Sequence, residues 1–172
     1  MAKKPILSSR GLDLVYFEKH HVIPVAATLS AENLKELDVI YGVEPVQALY
    51  DRACEVNTFA VERFGKPVAV TGYSLCEDHA HIWAVFTDEL RRQWVRFARA
   101  SEDLMKFYLE LKPKLICDVW AENEMIIQWL LHLGFDAEEI LLDANGNKIV
   151  RFVRCSYEED DVVNMAQRPT IH

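Results

Sequence analysis

The stretch Asn123-Glu-Met-Ile-Ile-Gln-Trp-Leu-Leu-His-Leu-Gly134-Phe135 decides the fold of this chain. Asn123 is a favourable N-cap, apolar residues follow at helical spacing, and Gly134 is a favourable residue just beyond a helix. The stretch therefore predicts a short buried helix that turns directly into a strand at Phe135. The segments on either side determine the architecture to which this helix belongs.

The composition is that of one globular domain. The 172 residues are 51% apolar and 27% charged, and this length is enough to bury a core. The 19 basic and 27 acidic side chains give a formal charge of −8, which argues against broad binding to nucleic acids or anionic membranes but permits a local basic patch. The longest apolar runs are too short to span a bilayer, and the amino terminus lacks the apolar stretch of a signal peptide.

The chain is predicted to have three parts. Residues 1–21 are polar and predict an irregular amino-terminal arm, residues 22–157 form the domain, and residues 158–172 form an acidic, solvated tail. The four cysteines are widely spaced without a Cys-x-x-Cys pair, so buried free thiols are expected rather than disulfides or metal ligands. They are Cys54, Cys76, Cys117 and Cys155.

Hydrophobic periodicity and turn residues predict the order of elements within the domain. A strand at 22–27 is followed by helices at 30–41 and 45–56, three antiparallel strands, a long helix capped by Thr87 or Asp88, a strand, the Asn123 helix and a hairpin. The later strands are predicted at 58–63, 68–75, 81–86, 115–120, 140–142 and 148–155. This order predicts a mixed α+β fold, with a mostly antiparallel sheet of about seven strands flanked by about four helices.

Taken with the Asn123…Leu-Gly134-Phe135 pattern, the order resembles the GNAT (GCN5-related N-acetyltransferase) fold over residues 22–156. The resemblance implies an acetyl-CoA site formed by the strand at 81–86 and the loop after it, where glycine-rich backbone binds the pyrophosphate at the start of the long helix. Val85 and Phe86 would contact the cofactor. Asn123 would touch its pantetheine arm or serve as a helix cap alone.

The loop that should bind the pyrophosphate departs from the family pattern. The stretch 86–100 contains no glycine, and bulky residues, Trp94 and Arg96, stand where glycine and small residues belong. Asp88 and Glu89 place negative charge where phosphates would sit, but both suit the start of a helix without a ligand. The arginines that could still attract an anion, or form only a solvated basic face, are Arg91, Arg92, Arg96 and Arg99.

The groups that would move protons are also incomplete. Leu130 occupies the position at which many family members carry a Tyr that protonates the departing thiolate. Cys117 has no activating neighbour in the sequence, and His132 is a weak catalytic candidate that could equally be a surface residue. His79 and His81 share a strand face, but no third ligand completes a metal site. We therefore expect no confident catalytic residue, no metal and no cofactor, with acetyl-CoA as the alternative.

A second resemblance narrows the expected role. Leu37-Asp38, Gly42-Val-Glu-Pro45, Gly65-Lys-Pro67 and Trp83, followed by the Asn123 stretch, look like the small internal virion (virion-assembly) proteins of short-tailed bacteriophages. This implies an assembly or virion-associated protein in the cytoplasm of an infected bacterium, with other phage proteins or host proteins as partners. The expected function is protein–protein contact with a degenerate acetyl-CoA site. The alternative is an N-acyltransferase that transfers acetyl from acetyl-CoA to an amine on a protein or small molecule.

Overall fold

Residues 3–156 are the part of the chain that the computed structural model describes. They contain eight strands and six helices, and a π-helical turn, Leu37–Tyr41, continues the second helix. The strands are β1 (Leu7–Ser9), β2 (Leu12–Tyr16), β3 (Thr58–Arg63), β4 (Lys66–Leu75), β5 (Ala80–Phe86), β6 (Lys114–Trp120), β7 (Asp136–Leu142) and β8 (Lys148–Cys155). The helices are α1 (Lys19–Ala26), α2 (Ala31–Glu36), α3 (Pro45–Ala53), α4 (Asp88–Arg92), α5 (Trp94–Leu111) and α6 (Glu124–His132).

All eight strands of the described region belong to one mixed sheet, in the order β1-β2-β3-β4-β5-β6-β8-β7. Neighbouring strands are antiparallel except β5 and β6, which are parallel. The predicted mixed α+β class with a mostly antiparallel sheet is confirmed. The sheet has one strand more than predicted, and the described region has two more helices than predicted.

The helices cover the two faces of the sheet separately. Because strand side chains alternate between faces, Phe59 and Val61 pack with α5 and α6, whereas Ala60 between them packs with α1 and α3. The larger core lies under α5 and α6 and includes Trp129, which is 1% exposed and donates its indole N–H to Ser101 Oγ at 2.9 Å. The Asn123 helix is thus a core element, as its sequence predicts.

The amino-terminal prediction is wrong in two respects. Residues 1–21 do not form an irregular arm over their described part, because β1 and β2 make a hairpin whose second strand pairs with β3. The predicted strand at 22–27 is instead part of α1. Its buried residues Val22 and Val25 are separated by nearly one helical turn, and Glu18, an uncommon N-cap, begins the helix. The predicted tail at 158–172 lies outside the described residues.

Two helical predictions need smaller corrections. The helix at 30–41 has the predicted Ser30 cap and ends at Gly42, but its last turn is π-helical. The predicted long helix is interrupted at Gln93, whose φ of −109° and ψ of 15° are not helical, so that α4 and α5 are separate.

The four cysteines are free thiols, but only Cys117 is buried. The expectation of burial is therefore wrong for Cys54, Cys76 and Cys155, which are exposed. Cys54 lies at the end of α3, Cys76 in the turn after β4, and Cys155 at the end of β8, where periodicity is a poor guide to burial.

Candidate functional site

The parallel strands β5 and β6 part in the middle of the sheet. They are in register only at Ala80 with Leu115 and at His81 with Ile116, within the described residues. Beyond these pairs β5 continues to Phe86 and β6 to Trp120, each paired with its neighbour on the other side. The gap leaves one side of β5 without a neighbouring strand, and main-chain polar groups of a strand need partners.

Part of this gap is a cleft of about 360 Å³ between the sheet and the helices α2 and α3. We call it the open cleft. Its walls are the residues Trp83, Ala84 and Val85 of β5 and Cys117, Asp118 and Val119 of β6. The helical side supplies Glu36, Tyr41, Asp51, Arg52 and Glu55 among others. The open cleft therefore joins an apolar floor to a predominantly acidic rim.

Two of the cleft's charged side chains are held by neighbours. Asp118 accepts hydrogen bonds from Arg151 Nε and Nη2 at 2.8 and 2.9 Å, and its Oδ2 lies 3.3 Å from His81 Nε2. The Arg151 guanidinium lowers the pKa of Asp118, so this carboxyl is charged at neutral pH. Arg52 pairs with Glu55 at 3.1 Å and lies over the Trp83 ring.

Glu36 joins α2 to the far side of the gap. Its Oε1 accepts the Trp120 main-chain N–H at 2.9 Å, and its Oε2 accepts Asn123 Nδ2 at 2.5 Å. Burial raises the pKa of Glu36, and the two hydrogen bonds oppose that effect only in part. The carboxyl therefore ties the end of β6 and the start of α6 to a helix from the other face of the sheet.

The gap is occupied by the chain itself where β5 finishes, at the end away from the Ala80 and His81 pairs. The main chain of Thr28–Ser30 lies antiparallel to that of 86–88: the Ser30 N–H donates to the Phe86 carbonyl at 2.9 Å, and the Asp88 N–H donates to the Thr28 carbonyl at 2.8 Å. The Phe86 N–H donates to the buried Asn33 Oδ1 at 2.8 Å. We call these three contacts the α2 clip. They use both main-chain groups of Phe86.

Helix α4 begins immediately after β5, at the position where the resemblance implied a phosphate loop. Thr87 is fully buried, and both its N–H and its hydroxyl donate to the Val68 carbonyl, at 3.1 and 2.8 Å. Two of the charged side chains on α4 are paired internally: Arg91 with Glu32, and Glu89 with Lys66. The segment is a closed helical turn rather than an open loop of free N–H groups.

The structure brings together some of the predicted site residues and separates others. Val85 lines the open cleft, and Phe86 lies buried at the α2 clip. Asn123 is fully buried, caps α6 by accepting the Ile126 N–H, and binds Glu36. Arg92 is exposed on α4, and His132 is exposed on α6 and does not line the cleft.

The remaining sequence candidates are core residues. Leu130 is fully buried, and Cys117 is 2% exposed, with a thiol whose pKa is raised by burial. Sequence reasoning missed Asn33 and Glu36, although Ser30, Asn33 and Glu36 recur every third residue. Such a polar stripe on one helix face is the signal that could have indicated a buried polar contact. In residues 3–156 no cluster of three metal-binding side chains occurs, and no helix is long and apolar enough to cross a bilayer.

Comparison with known proteins gives a structural answer alone. No protein-family model matches the chain, and no curated protein matches it by sequence. Among solved structures, it is similar to a GNAT-family acetyltransferase from Bacillus anthracis, with a TM-score of 0.69 and 14% identity over 87% of this chain and 97% of that one. Ard1 from Thermoplasma volcanium has a TM-score of 0.65 and 14% identity over 86% and 99% of the two chains.

A third similar structure is the ribosomal L7/L12 α-N-protein acetyltransferase in complex with coenzyme A. Its TM-score is 0.66, with 15% identity over 89% of this chain and 98% of that one. The chain has the GNAT fold. Identities this low establish the architecture and leave the activity to the residues of the site.

Proposed function

We propose that this chain is a GNAT-fold binding protein that engages a partner through the open cleft and works without an acyl-CoA donor. The observation that carries the proposal is the α2 clip. In the family that the sequence resembles, a donor's arm would lie along the free edge of β5. Here Thr28–Ser30 and Asn33 already satisfy that edge at Phe86.

The helix start beside the clip does not fit a diphosphate. The Asp88 N–H, which could otherwise face an anion, donates to the Thr28 carbonyl. Asp88 and Glu89 place two carboxylates in the first turn of α4, where their negative charges would repel a phosphate. Arg91, a predicted phosphate contact, is paired with Glu32. The Phe86 main chain, Arg91 and Asn123, which were predicted to bind the cofactor, thus hold the protein together, whereas Arg92 stays exposed.

The open cleft suits a cationic group presented by a partner protein. The residues that line it include four acids, Glu36, Asp51, Glu55 and Asp118, and one basic residue, Arg52. A lysine side chain or an amino terminus could place its ammonium among these carboxylates and its methylenes against the apolar floor. This supports a role for the cleft in protein–protein contact.

Thermal unfolding with and without acetyl-CoA tests the proposal. We expect no shift of the melting temperature at ligand concentrations of about 1 mM, whereas a ligand at a hundred times its Kd would stabilise the native state by about 2.7 kcal/mol. The coenzyme A-bound neighbour described above is the positive control. A dose-dependent shift in the wild-type chain would contradict the proposal.

A second candidate, an N-acyltransferase, is favoured by a different observation. The solved structures with this fold that are described above are acetyltransferases. Glu36 lines the open cleft and its pKa is raised by burial, as suits a general base once it is released from Trp120 and Asn123. Mass spectrometry of amine-bearing peptides incubated with the protein and acetyl-CoA tests this candidate. Acetylation that is lost in Glu36→Gln but retained in the cleft variant Asp51→Asn would establish it and overturn the first proposal.

The narrower role inferred from the second resemblance remains a prediction. No comparison supports a phage virion or assembly function, and none tests phage or host proteins as partners. A binding partner that slows main-chain hydrogen exchange across 28–41 and 114–120 would identify the open cleft as the contact surface.

A further inference from the structure

The hairpin between β3 and β4 ends in an exposed and strained aromatic residue. Phe64 is 87% exposed and has a φ of +50°, and Gly65 follows with a φ of +75°. Turns of this kind favour Asn-Gly, because a bulky residue in the left-handed region costs about 1–2 kcal/mol. The fold therefore displays a phenyl ring to solvent at an energetic cost.

Arg63 lies against this ring, and two further arginines adjoin the neighbouring turn. The pairing of Asp13 with Glu62 places the β1–β2 turn, Arg10-Gly11, beside the Phe64 turn. The Arg63 guanidinium lies 5.2 Å from the centre of the Phe64 ring. A Cβ added to Gly11 would lie 3.4 Å from Arg96 Nη1, so the start of α5 adjoins the same turn. We call Arg10, Arg63, Phe64 and Arg96 the basic-aromatic edge.

The three arginines of the basic-aromatic edge form no salt bridge with any carboxylate in residues 3–156. Of the nearby acids, Glu62 contacts His21 and Glu89 contacts Lys66. Asp103 accepts the Ser9 hydroxyl at 2.6 Å, and that bond, with the charges of Lys106 and Arg10, lowers its pKa. In a chain whose net charge is −8, this is a local cationic surface with an apolar centre.

The opposite end of the sheet has the complementary character. Strand β7 is the last in the sheet and pairs only with β8 among the described strands. It exposes Ile140 by 66% and Leu142 by 68% on one face of the sheet. The carboxylates of Asp136, Glu138 and Glu139 are also exposed, and the pairing with β8 places Asp136 and Glu139 on the other face. An edge strand with exposed apolar side chains is a surface that readily acquires a partner.

We propose that copies of this chain associate head to tail, with β7 of one copy against the basic-aromatic edge of the next. The Phe64 ring would pack on Ile140 and Leu142 on one face of the edge strand, and the β7 carboxylates would face the arginines from the other side of that strand. Charge depletion at an apolar centre with aromatic and Arg anchors is the usual composition of a protein interface. The two surfaces lie at different places on one sheet, so the contact produces a ring or an open chain rather than a two-fold dimer.

Sedimentation of the full chain at low ionic strength tests this proposal. We expect the weight-average mass to rise above 19.9 kDa with increasing protein concentration. The rise should weaken in about 0.5 M salt, where the Debye length falls to about 4 Å. A mass that stays at one chain over the whole accessible concentration range would overturn the proposal, as would a rise that stops at two chains.

Charge reversal gives a sharper version of the test. The variants Arg10→Glu/Arg96→Glu and Glu138→Lys/Glu139→Lys should each lose self-association, because like charges then face each other. An equal mixture of the two should associate again, since each contributes the charge that the other has reversed. If the mixture stays monomeric while both variants keep the wild-type circular dichroism spectrum, the two surfaces do not meet.

Phe64→Asn separates the interface from folding. Asn tolerates the left-handed region, so this variant should be at least as stable as the wild type while associating about tenfold more weakly, a change equivalent to about 1.4 kcal/mol. The exposed apolar variant Val56→Asn, distant from both surfaces in the sheet, is the matched control and should associate normally. Equal loss in both variants would overturn the role of Phe64.

Discussion

The parted strands β5 and β6 are satisfied differently at two places along their gap. Where β5 finishes, main-chain and buried side-chain hydrogen bonds from 28–33 fill its edge. Between that point and the paired residues Ala80 and His81, the same strand borders the open cleft of about 360 Å³. One gap in the sheet therefore contains a structural joint, the α2 clip, beside an open cleft.

This difference shows how a fold can keep its architecture and change its site. Parting β5 from β6 exposes main-chain groups that must find partners, and either a ligand or the protein can supply them. In this chain α2 supplies them at Phe86, and Glu36 does the same for the end of β6. The following variants test whether the α2 clip is structural and whether the open cleft is free to bind a partner.

The largest effect is expected for Asn33→Ala. The substitution removes the acceptor of the buried Phe86 N–H and the partner of the Ser30 hydroxyl, and it should lower the free energy of unfolding by about 2–4 kcal/mol. Urea unfolding followed by circular dichroism measures the change. Asp51→Ala, in the open cleft, is the control, and its free energy of unfolding should stay within about 0.5 kcal/mol of the wild-type value. Equal effects of the two substitutions would remove the distinction between the α2 clip and the open cleft.

The wall of the open cleft can be distorted through Gly72. A Cβ at this position would lie 2.6 Å from Trp83 Cζ2 and 2.7 Å from the Asn57 carbonyl oxygen, so Gly72→Ala should cost about 1–3 kcal/mol by overpacking. In a Trp83→Ala background the cost should fall but not vanish, because the Asn57 main chain cannot withdraw as a side chain can. A double-mutant cycle gives the two contributions, and a fully additive result would contradict the proposed clash.

Glu36 makes the stability of the folded protein depend on pH. Its pKa is raised in the folded protein, so the native state binds more protons than the unfolded chain at pH values between the ordinary value of 4.5 and the raised value. Stability relative to Glu36→Gln is therefore highest below the ordinary pKa and falls as pH rises through this window, by about 1.4 kcal/mol per unit of pKa difference. Chemical unfolding of both proteins at several pH values measures the slope. Parallel curves would mean that Glu36 does not titrate differently in the fold.

The smallest expected effect concerns the reactivity of Cys117, which lines the open cleft but is buried. Burial raises the pKa of its thiol, so its alkylation by iodoacetamide should be at least about tenfold slower than that of the exposed cysteines. Peptide mass spectrometry of the folded protein gives the rates, with the urea-unfolded chain as the control. Rapid alkylation of Cys117 would show that the cleft opens further than its static shape.

Most of the sheet and the Asn123 helix could be predicted from sequence, because turn residues and periodicity are local properties. Asn123, Gly134 and the Asp143–Asn147 turn all occur where they are expected. The amino-terminal region could not be predicted in the same way. An apolar run such as Val22–Ala27 fits either a strand or a helix, and only packing under the sheet decides between them.

For the candidate site, too, some features follow from the sequence and others only from the tertiary structure. The sequence by itself determined that residues 86–100 contain no glycine, that acids open the helix after β5, and that Leu130 cannot donate a proton. Only the tertiary structure decided that Thr28–Ser30 and Asn33 bond to the end of β5, and that Glu36 reaches Trp120 and Asn123. These contacts join residues that are more than fifty positions apart. Which distant groups satisfy a buried N–H depends on how the helices pack against the sheet, and no local pattern records it.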